Sequence, residues 1–297
     1  MTVDLERIAD ASGTFAILAM DQRGTLRKML DKAGQPSHDA ELSAFKVDVI
    51  GALSPLASGV LTDVEYGVNA VNDAGALAEG VGLIIASEES PQPTWNGEQR
   101  TVYAPAERGP DFVVRNGGVA LKFLVRWRPD RLPGPDEPDL AREAIDAIRA
   151  VVEDCRAHGL PSVIEPLVHT APGDEASHGR LVLRSAELLA DLRPDLLKLE
   201  WPGDAAACEE LSKICGSVPW ALLSAGVAYE AFVERVLTAM DAGASGYIAG
   251  RAFWGEAVNL TGSQRQEFLR TTAADRMSGL NVKIEGRGRS WKEVAGR

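Results

Sequence analysis

Asp195-Leu196-Leu197-Lys198-Leu199-Glu200-Trp201-Pro202 reads as a short buried strand that carries a lysine inside an otherwise apolar run. Strand side chains alternate, so Leu196, Lys198 and Glu200 share one face while Leu197, Leu199 and Trp201 share the other. Lysine is almost never fully buried without a partner or a purpose, and loss of water lowers its pKa toward the neutral amine. A neutral amine in an apolar pocket can attack a carbonyl carbon and form a Schiff base. Taken alone, the segment fits at least as well a lysine at a strand end whose ammonium reaches solvent. The rest of the chain decides between the two.

Working outward, apolar runs bounded by turn signals recur at 15–21, 59–63, 82–87, 119–125, 162–168, 196–201, 220–226 and 246–252, which makes eight candidate strands. Between them, 41–53, 139–158, 176–192 and 229–242 carry apolar residues at helical spacing. Strand alternating with helix implies a parallel sheet. Eight such units predict an α/β fold of the (β/α)8 TIM-barrel type, a single domain over residues 1–297. An open doubly wound sheet is the alternative, but no Gly-x-Gly-x-x-Gly follows the first strand to support it. Segments 88–116 and 128–138, rich in proline and polar residues, are predicted as long loops on the active-site face, closing over substrate or making subunit contacts. The basic, glycine-containing tail 283–297 is predicted to be loosely docked.

Composition narrows the partners. The formal charge of -12 argues against nucleic acid or an anionic membrane, so any phosphate must be held by a few well-placed cations. Cys155, Cys208 and Cys215 are too few for a disulfide framework and lack metal-ligand spacing, which reads as buried thiols in a reducing compartment. Residues 1–10 are charged and amphipathic with no signal-peptide core, and no stretch is apolar for long enough to span a bilayer. A soluble cytoplasmic protein is expected.

Barrel active sites lie at the C-terminal ends of the strands. Here those ends read Asp21-Gln22-Arg23, Asp63, Glu165, Lys198, Ser224-Ala225-Gly226 and Gly250-Arg251. Each alone could be a cap or a turn, but six on one rim point to a shared site. A second strand lysine, Lys122 in Ala120-Leu121-Lys122-Phe123-Leu124-Val125, would approach Lys198 across the mouth, and a neighbouring cation lowers an amine's pKa. Glu165, on the strand between them, is either a general base or the ion-pair partner of one lysine. Ser224-Ala225-Gly226 and Gly250-Arg251 fall where barrels cradle phosphate, and arginine adds bidentate hydrogen bonds. His38, His158, His169 and His178 are scattered, only His169 lying near a strand end, so no metal site and no cofactor are expected. No Ser-His-Asp set or reactive cysteine setting stands out.

Leu18-Ala19-Met20-Asp21-Gln22-Arg23-Gly24, Asp63-Val64-Glu65-Tyr66-Gly67, Leu197-Lys198-Leu199-Glu200-Trp201-Pro202, Leu222-Leu223-Ser224-Ala225-Gly226-Val227 and Ala249-Gly250-Arg251-Ala252-Phe253-Trp254 together resemble one family. It is that of the class I aldolases cleaving tagatose 1,6-bisphosphate or 6-deoxy-6-sulfofructose 1-phosphate. The resemblance covers nearly the whole chain in the same order. It implies a (β/α)8 fold and Schiff-base cleavage of a ketose 1-phosphate to dihydroxyacetone phosphate and an aldehyde. Carried over, Lys198 is the Schiff-base lysine, Glu165 the acid/base, and Asp21 and Lys122 its polar neighbours. Ser224, Gly226, Gly250 and Arg251 then hold the 1-phosphate.

Ala11-Ser12-Gly13, 117–122 and 157–166 look closer to the sulfofructose-phosphate branch, whereas Asp21-Gln22-Arg23-Gly24 and Glu65-Tyr66-Gly67 look closer to the tagatose branch. The expected reaction is cleavage of 6-deoxy-6-sulfofructose 1-phosphate to dihydroxyacetone phosphate and sulfolactaldehyde. Tagatose 1,6-bisphosphate, giving glyceraldehyde 3-phosphate, is the alternative. The C6 anion would face the rim opposite the 1-phosphate, near Gln22, Arg23 and the loop beginning at Glu88, with Gln22 or Arg23 helping to bind it unless Arg23 is paired with a carboxylate. A homo-oligomer is expected. A sugar-phosphate isomerase or epimerase on the same barrel, and a non-catalytic sugar-phosphate sensor, are the readings from other classes.

Overall fold

Eight short apolar segments close into a parallel barrel in the computed structural model, which describes residues 3–170 and 174–296. The strands are β1 (Phe15–Met20), β2 (Gly59–Asp63), β3 (Gly82–Ala86), β4 (Ala120–Trp127), β5 (Ser162–Val168), β6 (Leu196–Leu199), β7 (Trp220–Leu223) and β8 (Gly246–Ala249). Each pairs in parallel with its neighbours in chain order, and β8 pairs with β1 to close the ring. The expected (β/α)8 architecture is therefore the one found. The last two strands stop short of their sequence-based ends for a local reason. Ala225 and Gly226 turn into the left-handed region (φ 49° and 81°), and Arg251 opens a helix.

Period-two alternation sorts each strand into two cores. Ile17, Leu61, Ile84, Ala120, Val163 and Leu196 point into the barrel, while their neighbours Leu18, Val60, Ile85, Leu121, Ile164 and Leu197 pack under the helices. Full burial of one such aliphatic side chain contributes roughly 1.5–3 kcal/mol. The helices at Asp39–Leu53, Leu140–His158, His178–Ala190 and Tyr229–Asp241 occupy the stretches with helical spacing.

Segment 88–116, expected as a loop, contains ordered elements. Thr94–Trp95 and Glu98–Gln99 form an antiparallel hairpin turned at Asn96-Gly97, both with positive φ (48° and 82°), as a tight two-residue turn requires. Helices Pro105–Arg108 and Pro110–Arg115 follow, each with proline in the first turn, where its missing N–H costs nothing. Segment 128–138 packs on that hairpin through Arg131, whose guanidinium lies 2.7 Å from Glu98 and over the Trp95 ring.

The tail is anchored rather than loose. Ser290 and Glu293 form a reciprocal capping box on the short helix Trp291–Val294, and the Trp291 N–H donates to Gly13 O at 2.9 Å. The indole of Trp291 is 3% exposed and joins Leu5 and Ile8 at the floor of the barrel, beside the starts of β2 and β3. No helix among the described residues is long and apolar enough to cross a membrane. Trp291→Ala is expected to lower the unfolding free energy by about 3–5 kcal/mol, as truncation of a buried aromatic does. Urea titration checks this, and a change within error would detach the tail from the core.

Candidate active site

On β1, β4, β5 and β6 the interior face leads, one rung above the apolar core, to a charged group. Lys122 follows Ala120, Glu165 follows Val163, Lys198 follows Leu196 and Asp21 follows Ala19, so strand parity alone aims all four at the barrel mouth. Glu165 bridges the two lysines: its Oε1 lies 2.9 Å from Lys198 Nζ and its Oε2 2.8 Å from Lys122 Nζ. Lys122 Nζ also lies 2.8 Å from Asp21 Oδ2 and 3.2 Å from Glu88 Oε1. Lys198 is 4% exposed and Lys122 0%, so the solvent-exposed lysine left open by the sequence is replaced by a buried, paired one.

Electrostatics follow from this packing. Burial pushes the Glu165 carboxyl up, but Lys122 and Lys198 outweigh it and hold the group below the ordinary carboxylate range. Asp21 behaves alike: burial is overcome by Lys122 and Lys198, and its pKa falls. For Lys122 burial acts downward, yet Asp21, Glu165 and Glu88 together raise it, so Lys122 is a fixed ammonium. The two lysines do not act on each other as bare neighbouring cations, because Glu165 stands between them.

The opposite wall carries an arginine without a carboxylate. Arg251, at the end of β8, has no acidic partner within ion-pair distance among the described residues. Its guanidinium lies against Gly226, where a Cβ would come within 2.9 Å of the Arg251 Cζ. Gly226 is thus required both by its positive φ and by the arginine over it. Ala225 is held in the left-handed region, a strain of order 1–3 kcal/mol, and Ser224 beside it is 6% exposed. Gly250 passes so close to β1 that a Cβ would strike the Ala19 carbonyl.

These groups open into a cavity of about 600 Å³, which Gln22, Arg23, Lys198 and Arg251 line. Arg23 takes the carboxylate alternative: its guanidinium is bound by Glu65 at 3.0 Å and by Glu88, which leaves it little capacity for a substrate anion. Asp63 does not join the Lys198 cluster. It pairs at 2.6 Å with Lys46, which also donates to Met20 O and Gln22 O and so fixes the turn that carries Asp21.

Three functional candidates were not singled out in the sequence, although parity could have found them. Glu88 is the interior residue two beyond Ala86, is 2% exposed, and accepts from the Leu124 N–H at 3.1 Å. Arg126 is two interior positions beyond Lys122 and lines the cavity. Glu200 is two beyond Lys198 and accepts from the Val168 N–H at 2.7 Å. His169 lines the cavity, and no group of three or more His, Cys, Asp or Glu side chains among the described residues could hold a metal ion. The three cysteines are buried, and burial pushes the Cys208 and Cys215 thiols up to about 12.

Burial pushes the Glu200 carboxyl up to about 7, with Glu165 adding to the rise against the Val168 hydrogen bond. A raised folded-state pKa means that stability present below the unfolded value is lost as pH rises toward 7. Glu200→Gln removes that loss. The variant is therefore expected to gain stability over the wild type progressively between about pH 4.5 and 7, by roughly 1–3 kcal/mol at the upper end. Unfolding midpoints measured across pH check this, and a constant difference would contradict it.

Fold and site together define a barrel enzyme of the lyase class. Residues 15–256 match the DeoC/LacD family of aldolases, and the chain belongs to that family. The tagatose 1,6-diphosphate aldolase of Listeria monocytogenes is 29% identical, over 97% of this chain and 92% of its own length. The tagatose 1,6-diphosphate aldolase 2 of Streptococcus agalactiae is 28% identical over 97% and 96%. Among solved structures, a Schiff-base-forming fructose-1,6-bisphosphate aldolase superposes with a TM-score of 0.64 at 19% identity, over 94% of this chain and 98% of its own, a likeness of fold.

Proposed function

We propose that this chain is a class I aldolase cleaving a ketose 1,6-bisphosphate, tagatose 1,6-bisphosphate foremost, to dihydroxyacetone phosphate and glyceraldehyde 3-phosphate. The carrying observation is Lys198 at the barrel mouth with Glu165 held between it and Lys122. Lys198 Nζ passes a proton to Glu165 and attacks the C2 ketone, and Glu165 returns the proton to the carbinolamine hydroxyl, which leaves as water to give a protonated imine. When the C3–C4 bond breaks, its electron pair flows into the imine to give an enamine, and the C4 hydroxyl proton passes to Glu165. Enamine formation removes the positive charge at Lys198. One of the two cations that depress Glu165 thereby disappears as the proton arrives, and the carboxylate becomes more basic when it must accept. Protonation at C3 and hydrolysis release dihydroxyacetone phosphate and restore the amine.

Asp21 and Lys122 keep Glu165 oriented. Arg251, with Ser224, Ala225, Gly226 and Gly250 shaping the backbone around it, holds the C1 phosphate. The left-handed Ala225-Gly226 turn is the strained segment that such a cradle accounts for. The tagatose-cleaving relatives favour a C6 phosphate over the C6 sulfonate expected from the sequence. The sulfonate reading keeps the support of the compact length and of the likeness of Ala11-Ser12-Gly13, 117–122 and 157–166 to the sulfofructose-phosphate branch.

Dihydroxyacetone phosphate with borohydride is expected to leave a reduced adduct on Lys198, and Lys198→Met to abolish both adduct and cleavage. Glu165→Gln should lower kcat by roughly 10²–10⁴-fold. Cleavage that survives Lys198→Met would overturn the Schiff-base reading, whereas sugar-phosphate interconversion without cleavage, surviving the same substitution, would favour an isomerase. A higher kcat/KM for 6-deoxy-6-sulfofructose 1-phosphate than for tagatose 1,6-bisphosphate would reassign the substrate.

A further inference from the structure

Arg23 being committed to Glu65 and Glu88, the distal end of a bisphosphate needs another cation. Most of the cations near the mouth are already taken. Lys122 serves Asp21, Glu88 and Glu165, Lys198 serves Glu165, Arg108 serves Glu65, and Arg131 serves Glu98 and Glu137. Among the described residues that line the cavity, Arg251, Lys28 and Arg126 have no carboxylate within ion-pair distance.

Their places in the barrel separate these three. Lys28 lies on the helix Gly24–Lys32 that follows β1, and β1 adjoins β8, so Lys28 is on the Arg251 side of the mouth. Arg126 is on β4, and in a closed ring of eight strands β4 stands diametrically opposite β8. Lys198 on β6 falls midway along the arc between them. A ketose 1-phosphate anchored at Arg251 with C2 over Lys198 therefore extends its far end toward Arg126.

Strand parity aims Arg126 inward. Ala120, Lys122, Leu124 and Arg126 share the interior face, while Leu121, Phe123, Val125 and Trp127 pack under the helices. Arg126 stands beside Leu167 of β5, which also lines the cavity, about 13 Å up the strand from Lys122. Its charge acts on Arg251 and Glu200 across the mouth. The Glu200 carboxylate accepts from the Val168 N–H and makes no ion pair with Arg126, so the guanidinium remains available. Arg126 thus combines a place on the cavity wall, a strand opposite β8 and a guanidinium with no carboxylate partner among the described residues.

We infer that Arg126 binds the tetrahedral oxyanion on the C6 end of the substrate and sets the preference for a charged aldehyde half, an inference that rests on the aldolase reading above. Its planar fork offers an anion two parallel N–H donors.

Condensation of dihydroxyacetone phosphate with three aldehydes tests it: glyceraldehyde 3-phosphate, sulfolactaldehyde and uncharged glyceraldehyde. In Arg126→Met the ratio of kcat/KM for a charged aldehyde to that for glyceraldehyde is expected to fall about 10- to 100-fold, with Arg126→Lys recovering part of it. The arm with the larger fall identifies the anion as phosphate or sulfonate. A ratio unchanged in both arms overturns the inference while leaving the aldolase intact. If the wild type joins none of the aldehydes and gives no borohydride adduct at Lys198, the aldolase reading fails and this one falls with it.

Discussion

One carboxylate shared by two buried lysines is the constraint around which the mouth of this barrel is built. An isolated ammonium or carboxylate at this depth would cost several kcal/mol in lost hydration, and a simple pair seldom recovers it. Here three cations, Lys122, Lys198 and Arg23, interlock with three anions, Asp21, Glu88 and Glu165. Removal of any one partner would strand another. Glu165, Lys122 and Asp21 are therefore held in place by mutual charge as well as by packing, the pre-orientation that the proposed chemistry requires. A second buried pair, Lys46 with Asp63, supports the arrangement from below by fixing the carbonyls on either side of Asp21.

That balance explains where the mouth is not balanced. With the centre neutralised internally, attraction for an anion falls to the lining cations that have no carboxylate partner among the described residues, Arg251 and Lys28 on one side and Arg126 on the other. A chain carrying a formal charge of -12 attracts no phosphate through its overall field. Local, unpaired guanidinium groups at a fixed separation can do so, and they also give the substrate a direction. Neutral centre and cationic ends suit a molecule whose reacting middle is a polyol ketone and whose termini carry the charge.

Much of this was legible in the sequence because two periodicities carry it. The alternation of apolar strand and amphipathic helix marked all eight barrel strands, and the polar residues at their ends marked Lys198, Glu165, Lys122 and Asp21 as one set. The same period-two rule points to Glu200, which lies within its strand on the Lys198 face with no role assigned, and to Glu88 and Arg126, which lie just beyond the boundaries drawn for theirs. Residues there read as loop before the barrel shows that the strand direction continues. Lys46 was hidden differently. On an amphipathic helix an inward lysine looks like an irregularity in the pattern until Asp63 and the carbonyls of Met20 and Gln22 supply its partners. The partners of Arg23 lie 42 and 65 residues away, a distance over which no local pattern speaks.

Trp291 and Asn96-Gly97 mark the other limit. Composition describes the tail as basic and flexible, yet a single indole outweighs that composition by closing the barrel floor. In segment 88–116, proline and polar content conceal a two-residue turn whose left-handed backbone only asparagine and glycine adopt cheaply. That hairpin places Glu98 against Arg131, and the pairing removes one more cation from the list of those a substrate could use. What the mouth can bind is thus decided less by which charged residues it contains than by which of them the fold has already paired. By that criterion the arginines on β4 and β8, which have no carboxylate partner among the described residues, rather than the more numerous cations around Lys198, are the groups proposed to meet the ends of the substrate.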